Sequence, residues 1–397
     1  MKILSVNAGS SSLKFTLFEM PAGNELIGGY FEKIGLEDSF YSIKMNGEKT
    51  KKVVLVKDHS EAVKILIDEL IDNGVIKSLE EIDGVGHRLV HGGEKYSASF
   101  LIDNEVISAV EELIPLAPLH NPANLIGVKA FMEAMNDTPN VGVFDTAFHQ
   151  TMNREQFLYG VPLSWYNDFG VRKYGFHGTS HKFITETMKQ KLGKENVNLI
   201  ICHIGSGGSL CAVKDGKSYD TTMGFTPNAG IMMGTRSGDI DYSMIPYIMK
   251  NANMSLESVD NILNKQSGLF GISGYSDHRD VEEAMNNGSN EAVLANEMYV
   301  NKVVDYIAKY FVSLNGEIDG LVFTAGLGEN AISFRENVIN KLACLGIKLN
   351  QEVNNTIAGF KSVHEGIIST EDSRVDVYVV PTNEELMIAT DTYNLIK

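Results

Sequence analysis

Residues 3–19, ILSVNAGSSSLKFTLFE, limit the fold more than any other stretch: an apolar run breaks at Ala8-Gly9-Ser10-Ser11-Ser12 and resumes at Leu13. Strand, tight polar turn, strand reads as a β-hairpin. The turn carries no bulk and offers hydroxyls and backbone N–H groups, a surface that suits close approach of phosphate oxygens. Asn7 ends the first strand as a neutral amide able to orient water on a metal, and Lys14 adds a point charge just past the turn. Standing alone, the stretch would equally suit a solvated hairpin turn. It recurs at 199–214, LIICHIGSGGSLCAVK, with His203 where Asn7 stood. One design used twice implies two similar half-molecules facing each other across a cleft, where ligand sites are common.

A chain of 397 residues agrees with that division, because a single core rarely serves so many. With 34 basic and 51 acidic residues the formal charge is −17, which disfavours nucleic acid or an anionic membrane as partner. An anionic ligand must therefore meet a locally positive pocket. The three cysteines, Cys202, Cys211 and Cys344, cannot all pair within one chain and read as core filler in a reducing compartment. The start, MKILSVNAG, lacks a signal peptide's long apolar region, and no run of 18 apolar residues occurs. A soluble, cytoplasmic protein is expected.

Further strands are expected at 25–33 and 40–44, with an edge strand at 51–56, and a helix at 60–71 has Val63, Leu66, Ile67 and Leu70 at helical spacing. The strand 82–90, IDGVGHRLV, holds Arg88 inside an apolar run, where either a structural ion pair or an anionic ligand must answer its charge. In LAPLHNPAN, Asn121 is expected to cap a helix that runs to about 135 with Pro122 at its first position, placing His120 at the helix's positive end. The strand 140–144 delivers Asp145 at its C-terminal end, where α/β sheets face their ligands. RKYGFHGTS, 172–180, displays His177 ahead of a helix capped near Ser180. The irregular stretch 223–241 holds one basic residue, Arg236, a second candidate for a phosphoryl contact.

Helices are expected at 255–266 and 290–314, separated by a polar loop at 271–280. GLVFTAGLGEN, 320–330, is strand, Gly turn and helix, compatible with a nucleotide but weak by itself. After a last strand at 375–380, Thr382 and Glu385 have capping-box spacing, which leaves Glu384 to reach a metal or merely to complement the helix dipole. No nucleophile elbow, HExxH or paired CxxC is present. Anion cradles, isolated arginines and acids suited to Mg²⁺ point to phosphoryl transfer.

VNAGSSSLKF, GHRLVHGG, VFDTAFH, YGFHGTSH, MGTRSGDID and PTNEELMIA together resemble the acetate kinase family over essentially the whole length. The resemblance implies an α/β fold of duplicated RNase-H-like, actin-like ATPase domains with an interdomain cleft, and a homodimer. It implies a first domain of 1–147 plus 384–397 and a second of 148–383. The implied reaction is direct in-line transfer from ATP to acetate, giving ADP and acetyl phosphate, with Mg²⁺ and possible use of Mn²⁺.

By the same resemblance, Asn7 and Glu384 look like the metal pair and Lys14 like a phosphate contact. Arg88, Arg236, His177, Asp145 and, as an auxiliary donor, His120 look like the catalytic set, with Arg88 also binding the carboxylate. A carboxylate substrate is already ionised near neutral pH, so Asp145 is read as orienting an arginine rather than as a base. Val90, Leu119, Phe176 and Pro227 match the pocket for the acetate methyl group. Nucleotide contacts are expected from His203, Ile204, Gly205, Ser206 and Gly207, from Asp277, His278 and Arg279, and from Gly326, Leu327, Gly328, Glu329 and Asn330. Ser206 departs from the family's usual Asn, and Ala325 from its frequent Gly. Propionate or butyrate kinase is the nearest alternative, because one methylene discriminates by only about 1–3 kcal/mol. A nucleotide-switched actin-like or chaperone-like ATPase is the alternative from another class.

Overall fold

The computed structural model describes residues 1–118 and 120–397. One sheet is built from β1 (Lys2–Ala8), β2 (Ser12–Glu19), β3 (Asn24–Glu32), β4 (Phe40–Met45), β5 (Glu48–Val53), β6 (Gly84–Leu89), β7 (Phe100–Leu101) and β8 (Asn140–Phe144), in the order β5-β4-β3-β2-β1-β6-β8-β7. The other is built from β9 (Leu199–Ile204), β10 (Gly208–Lys214), β11 (Lys217–Thr221), β12 (Gly320–Thr324), β13 (Gly366–Ile367) and β14 (Val377–Val379), in the order β11-β10-β9-β12-β14-β13.

The run β3-β2-β1-β6-β8-β7 matches β11-β10-β9-β12-β14-β13 strand for strand. In each, an antiparallel meander is followed by two parallel additions and one short antiparallel strand. The duplicated RNase-H-like architecture is therefore present, and the β4–β5 hairpin is an addition to the first copy. Buried strands explain the near-continuous apolar runs: all six residues of β9 and all five of β8 and β12 are buried.

The chain divides into two compact units, one of Met1–Gln150, Gly178–Lys182 and Asn383–Lys397, the other of Thr151–His177 and Phe183–Thr382. The first turn of the helix Gly178–Leu192 thus belongs to the first unit, unlike the continuous second domain expected from 148. The reason is local: Gly178 N donates to Asp145 O (2.9 Å), and a Cβ there would lie 2.2 Å from that oxygen.

In the first unit, the helix His59–Asp72 buries Ala62, Val63, Leu66 and Leu70 and is capped by Asp58, which accepts from Glu61 N. The C-terminal helix Glu384–Ile396 lies against β1, β6 and β8, with Ile388 packed on Val141 and Val143. In the second unit the long helix Asn290–Ser313 supplies Ala295, Tyr299, Val303, Ile307 and Tyr310 to a core shared with β9, β10, β12 and β14.

Several expected boundaries move. The edge strand β5 ends at Val53, before the expected apolar tail. The expected polar loop at 271–280 is mostly helical, with Gly268–Ser273 and His278–Asn286 separated by a short link. The helix after His177 starts at Gly178 because His177 itself turns into the left-handed region (φ 56°). Asn121 lies inside its helix, with His120 at the capping position, and its amide instead bonds His91 N, His91 O and Val110 O. The last helix is capped by Asn383, which accepts from Leu386 N, and not by Thr382. Cys202 and Cys211 are buried, but Cys344 is exposed and so is no core filler. Among the described residues no helix is long and apolar enough to cross a membrane.

Candidate active site

The first unit gathers a charged group at the C-terminal ends of β1, β6 and β8. Asp145, 1% exposed, follows β8 and takes two bonds on Oδ2, from Arg88 Nε (3.0 Å) and Arg88 Nη2 (2.5 Å). Its Oδ1 accepts from Thr179 Oγ1 at 3.0 Å. Glu384 Oε2 stands 3.9 Å from Arg88 Nε. Burial works against the Arg88 charge, but Asp145 and Glu384 outweigh it and hold the guanidinium firmly protonated. Burial, reinforced by Asp145 and Glu385, pushes the Glu384 carboxyl above its ordinary range against the pull of Arg88 and Lys14. Among the described residues Arg88 Nη1 has no protein partner.

The turn between β1 and β2 lies in the same unit. Asn7 pairs with Lys14 across the hairpin, and Lys14 Nζ forms an ion pair with Glu385. So Glu385 has a structural role, though by this pair rather than by a capping box. His59 Nε2 meets Gly9 O at 2.8 Å, and Asn124 bridges Ala8 O (2.8 Å) to Val90 N (3.1 Å), fixing the phosphate-type turn against the end of β6. Val90 is buried, and His120 heads the helix Asn121–Ala134. Leu119 lies outside the described residues.

The second unit gathers Arg236, His177, His203 and the β9–β10 turn. The His177 ring stacks on His203 with centroids 4.2 Å apart, and its Nδ1 is 2.9 Å from Ser209 Oγ. A Cβ on Gly207 would sit 3.4 Å from Arg236 Nη1 and 3.8 Å from His177 Nε2, so glycine leaves both rims of the turn open. Arg236 Nη1 donates to Pro227 O at 3.0 Å and meets Met233 Sδ at 3.6 Å. Among the described residues Arg236 has no carboxylate partner, and burial alone pulls its pKa down. A half-buried guanidinium so placed is suited to an anion that is not part of the chain. Phe176, buried, and Pro227 belong to this unit, whereas Val90 belongs to the first.

A cavity of about 1100 Å³ opens beside these groups, lined by Gly205, Ser206 and Gly207, by Asp277, His278 and Arg279, and by Gly326, Leu327 and Asn330. Its lining includes Arg236. Not every expected nucleotide residue reaches it. Ile204 and Gly328 are buried away from the cavity, the latter where the helix Ala325–Asn330 packs closely on β12. Glu329 spends Oε1 on the backbone N–H groups of Ala325 (2.8 Å) and Thr382 (3.1 Å), making it a tie between two segments. The His278 ring packs edge-on against Phe334 and shares a bond with Asn296 Oδ1 (2.9 Å). Arg279 is highly exposed and holds Asp277, whose carboxyl it pulls down to about 2.

Sequence reasoning missed Ser276, Glu282, Ser333, Asn355 and Phe360 on the cavity wall. They come from separate helices, links and turns and carry no local motif; only the bond from Ser333 Oγ to Glu282 reveals that two of them meet.

No three His, Cys, Asp or Glu side chains among the described residues form a metal-type cluster. Mg²⁺ does not need one, because it keeps several waters and takes one or two protein oxygens together with substrate phosphates. The Asn7 amide and the Glu384 carboxyl are oxygen donors of that type, and the burial and neighbouring acids that raise Glu384 are what a bound cation would offset.

Comparison with known proteins agrees along the whole chain. The acetokinase family matches residues 2–390. The acetate kinase of Bacillus subtilis is 50% identical over 399 residues covering 100% of both chains, and that of Geobacillus kaustophilus is 51% identical over 99% of both. Among solved structures, Porphyromonas gingivalis acetate kinase superposes with a TM-score of 0.94 at 46% identity over 100% of both chains. A propionate kinase from Francisella tularensis gives 0.93 at 41% identity over 99% of both.

Proposed function

The chain belongs to the acetokinase family, and we propose that it transfers the terminal phosphoryl group of ATP reversibly to acetate, giving ADP and acetyl phosphate, with the named groups of both units acting in that one reaction. The observation that carries this reading is Arg236: a half-buried guanidinium without a carboxylate partner among the described residues, on the wall of a nucleotide-sized cavity. Phosphoryl transfer asks little covalent chemistry of the protein and much positioning and charge stabilisation.

Acetate arrives ionised at neutral pH, so no proton need be removed. Asp145 already spends both oxygens, on Arg88 and Thr179, which supports its role as the group that aims Arg88. Arg88 offers Nη1 to the carboxylate or the moving phosphoryl, and Arg236 with the His177 ring stabilises the spreading charge. His120 serves as an auxiliary donor, and Val90, Leu119, Phe176 and Pro227 receive the methyl group. Lys14 and the glycines of the two hairpin turns cradle phosphate oxygens. Asn7 and Glu384 would hold Mg²⁺, or Mn²⁺ in its place, whose charge when bound offsets that on the nucleotide phosphates.

A propionate kinase reading is the second, favoured by the match to the Francisella protein. ADP formation measured with acetate, propionate and butyrate, with and without Mg²⁺, separates the readings: highest kcat/KM with acetate is expected, and preference for a longer acid overturns it. ATP hydrolysis indifferent to any carboxylate would instead favour a nucleotide-switched ATPase. We also propose a homodimer in the cytoplasm. Tyr242, Met244, Tyr247 and Ile248 expose apolar surface at 79%, 54%, 68% and 42% along one short segment. Light scattering at twice the chain mass is expected.

A further inference from the structure

The segment that carries Pro227 and Arg236 runs from β11 to the helix Met244–Asn251 without regular secondary structure, yet Ile231, Met232 and Met233 at its centre are buried. Backbone bonds outside any ladder hold its middle, Gly234 N donating to Ser206 O (3.1 Å), Ser237 N to Leu263 O (3.0 Å) and Ser267 N to Thr235 O (2.9 Å), and its two ends must be held as well, because loose ends would leave Arg236 and Pro227 more positions to sample. Two phenolic hydroxyls stand at its ends. Near the start, Tyr159 OH accepts from Phe225 N at 2.8 Å, and a Cβ on Gly224 would fall 2.3 Å from that oxygen. Near the end, Tyr306 OH donates to Asp239 Oδ2. Asp239 in turn closes the loop on itself: its Oδ1 accepts from Gly230 N (2.8 Å) and its N–H donates to Gly230 O (2.9 Å). Arg236 sits inside the ring so closed, and its Nη1 reaches across to Pro227 O at 3.0 Å.

We infer that Tyr159 and Tyr306 are positioning residues for the phosphoryl-transfer reaction: their hydroxyls clamp the two ends of the 225–239 segment and thereby set where Arg236 and Pro227 stand. This rests on the reading of Arg236 and Pro227 given above. The two clamps differ in kind. Tyr159 grips a backbone N–H, whereas Tyr306 acts through Asp239 from the long helix Asn290–Ser313, an element built into the core of its unit. Desolvation of the hydroxyls raises both phenols above their ordinary pKa and the Asp239 carboxylate raises both further, Tyr306 through a direct bond, so each hydroxyl stays protonated at neutral pH. The bonds of both hydroxyls fall on the loop, at Phe225 N and at Asp239, and each acts through it.

Phenylalanine at each position deletes the hydroxyl and keeps the ring, including the Tyr306 packing against Tyr310 at 6.0 Å. The experiment compares Tyr159→Phe, Tyr306→Phe, Asp239→Asn, the Tyr306→Phe/Asp239→Asn pair and Arg236→Ala in the full chain, by kcat, KM for acetate, KM for ATP and thermal midpoint. A misplaced guanidinium is expected to lower kcat/KM for acetate by about tenfold in each phenylalanine variant, with the KM for ATP within about twofold of the parent. The midpoint should stay near the parent's. Because Tyr306 works through Asp239, the paired variant should lose no more than Asp239→Asn alone.

Parental kcat/KM in both phenylalanine variants, beside an inactive Arg236→Ala, overturns the clamp and leaves the reading of Arg236 standing. A parental rate in Arg236→Ala overturns that reading and the clamp with it. A fall in midpoint together with a matching rise in both KM values overturns the clamp in favour of general loosening.

Discussion

The two units share a strand order and a hairpin turn but handle positive charge in opposite ways. In the first, every cation near the turn is answered by acid: Arg88 by Asp145 and Glu384, Lys14 by Glu385. In the second, Arg236 has only a carbonyl and a sulfur within reach among the described residues. The duplicated fold thus carries two arrangements, a nearly neutral network around one guanidinium and a second guanidinium with no acid against it among the described residues. In a chain of net charge −17, the second arrangement is the one that needs a ligand to be explained.

The sharpest way to break this contrast is to remove each arginine in turn. Arg88→Ala and Arg236→Ala should both lower turnover by about three orders of magnitude or more, as arginines on a transferring phosphoryl can. Stability should separate them. Loss of Arg88 strands Asp145, 1% exposed, beside Glu384 and should cost about 3–5 kcal/mol. Loss of Arg236 removes an unanswered charge and should change stability by less than about 1 kcal/mol. Equal destabilisation in urea melts of the two variants would erase the contrast.

Glu384 sharpens it next. Its carboxyl is held above the ordinary range by burial, so the stability it contributes is present at low pH and lost as pH rises through its folded pKa. Glu384→Gln should therefore raise the metal-free thermal midpoint at neutral pH while lowering turnover about a hundredfold. Added Mg²⁺ with ADP should stabilise the parent more than this variant. An unchanged response to Mg²⁺ removes Glu384 from the metal.

The first unit should also carry an acid-sensitive element. Burial depresses His87, bonded to Asn140 Oδ1, to about 4, so the folded chain stays neutral there while the unfolded chain takes up a proton below its ordinary value of 6.5. That stability is present above pH 6.5 and is lost as pH falls toward 4, by about 3 kcal/mol in all. His87→Gln should flatten the fall; an unaltered slope in denaturation from pH 7 to 4.5 would place the sensitivity elsewhere.

The smallest effect lies in the second unit. Ala325 adopts φ 64°, a conformation glycine takes freely, which gives a backbone reason for the family's frequent Gly at this place. Ala325→Gly should stabilise the chain by about 1 kcal/mol, readable as a small rise in the melting midpoint.

The duplicated hairpin was legible because the pattern of apolar strand, Gly/Ser turn and apolar strand is local, and so were the helix expected at 60–71, which spans His59–Asp72, and the strand Asn140–Phe144 that delivers Asp145. Arg88 was legible as a residue needing an answer, though only the fold brings Asp145 to it across 57 positions. The cap at Asn383 was missed because Thr382 has an equally good capping-box spacing, while the fold commits the Thr382 N–H to Glu329. The helices at 268–273 and 278–286 were hidden by glycines and polar residues that tertiary contacts override. The cavity wall from Ser276 to Phe360 was invisible for a simpler reason: its members meet only after separate helices pack.

A crystal structure with ADP, Mg²⁺, acetate and aluminium fluoride as a stand-in for the transferring phosphoryl tests the central claim most directly. The fluoride should lie within hydrogen-bond distance of both the Arg88 and the Arg236 guanidinium, with Asp145 still holding Arg88. A fluoride bound by neither arginine, or by one alone while the other faces solvent, would contradict it.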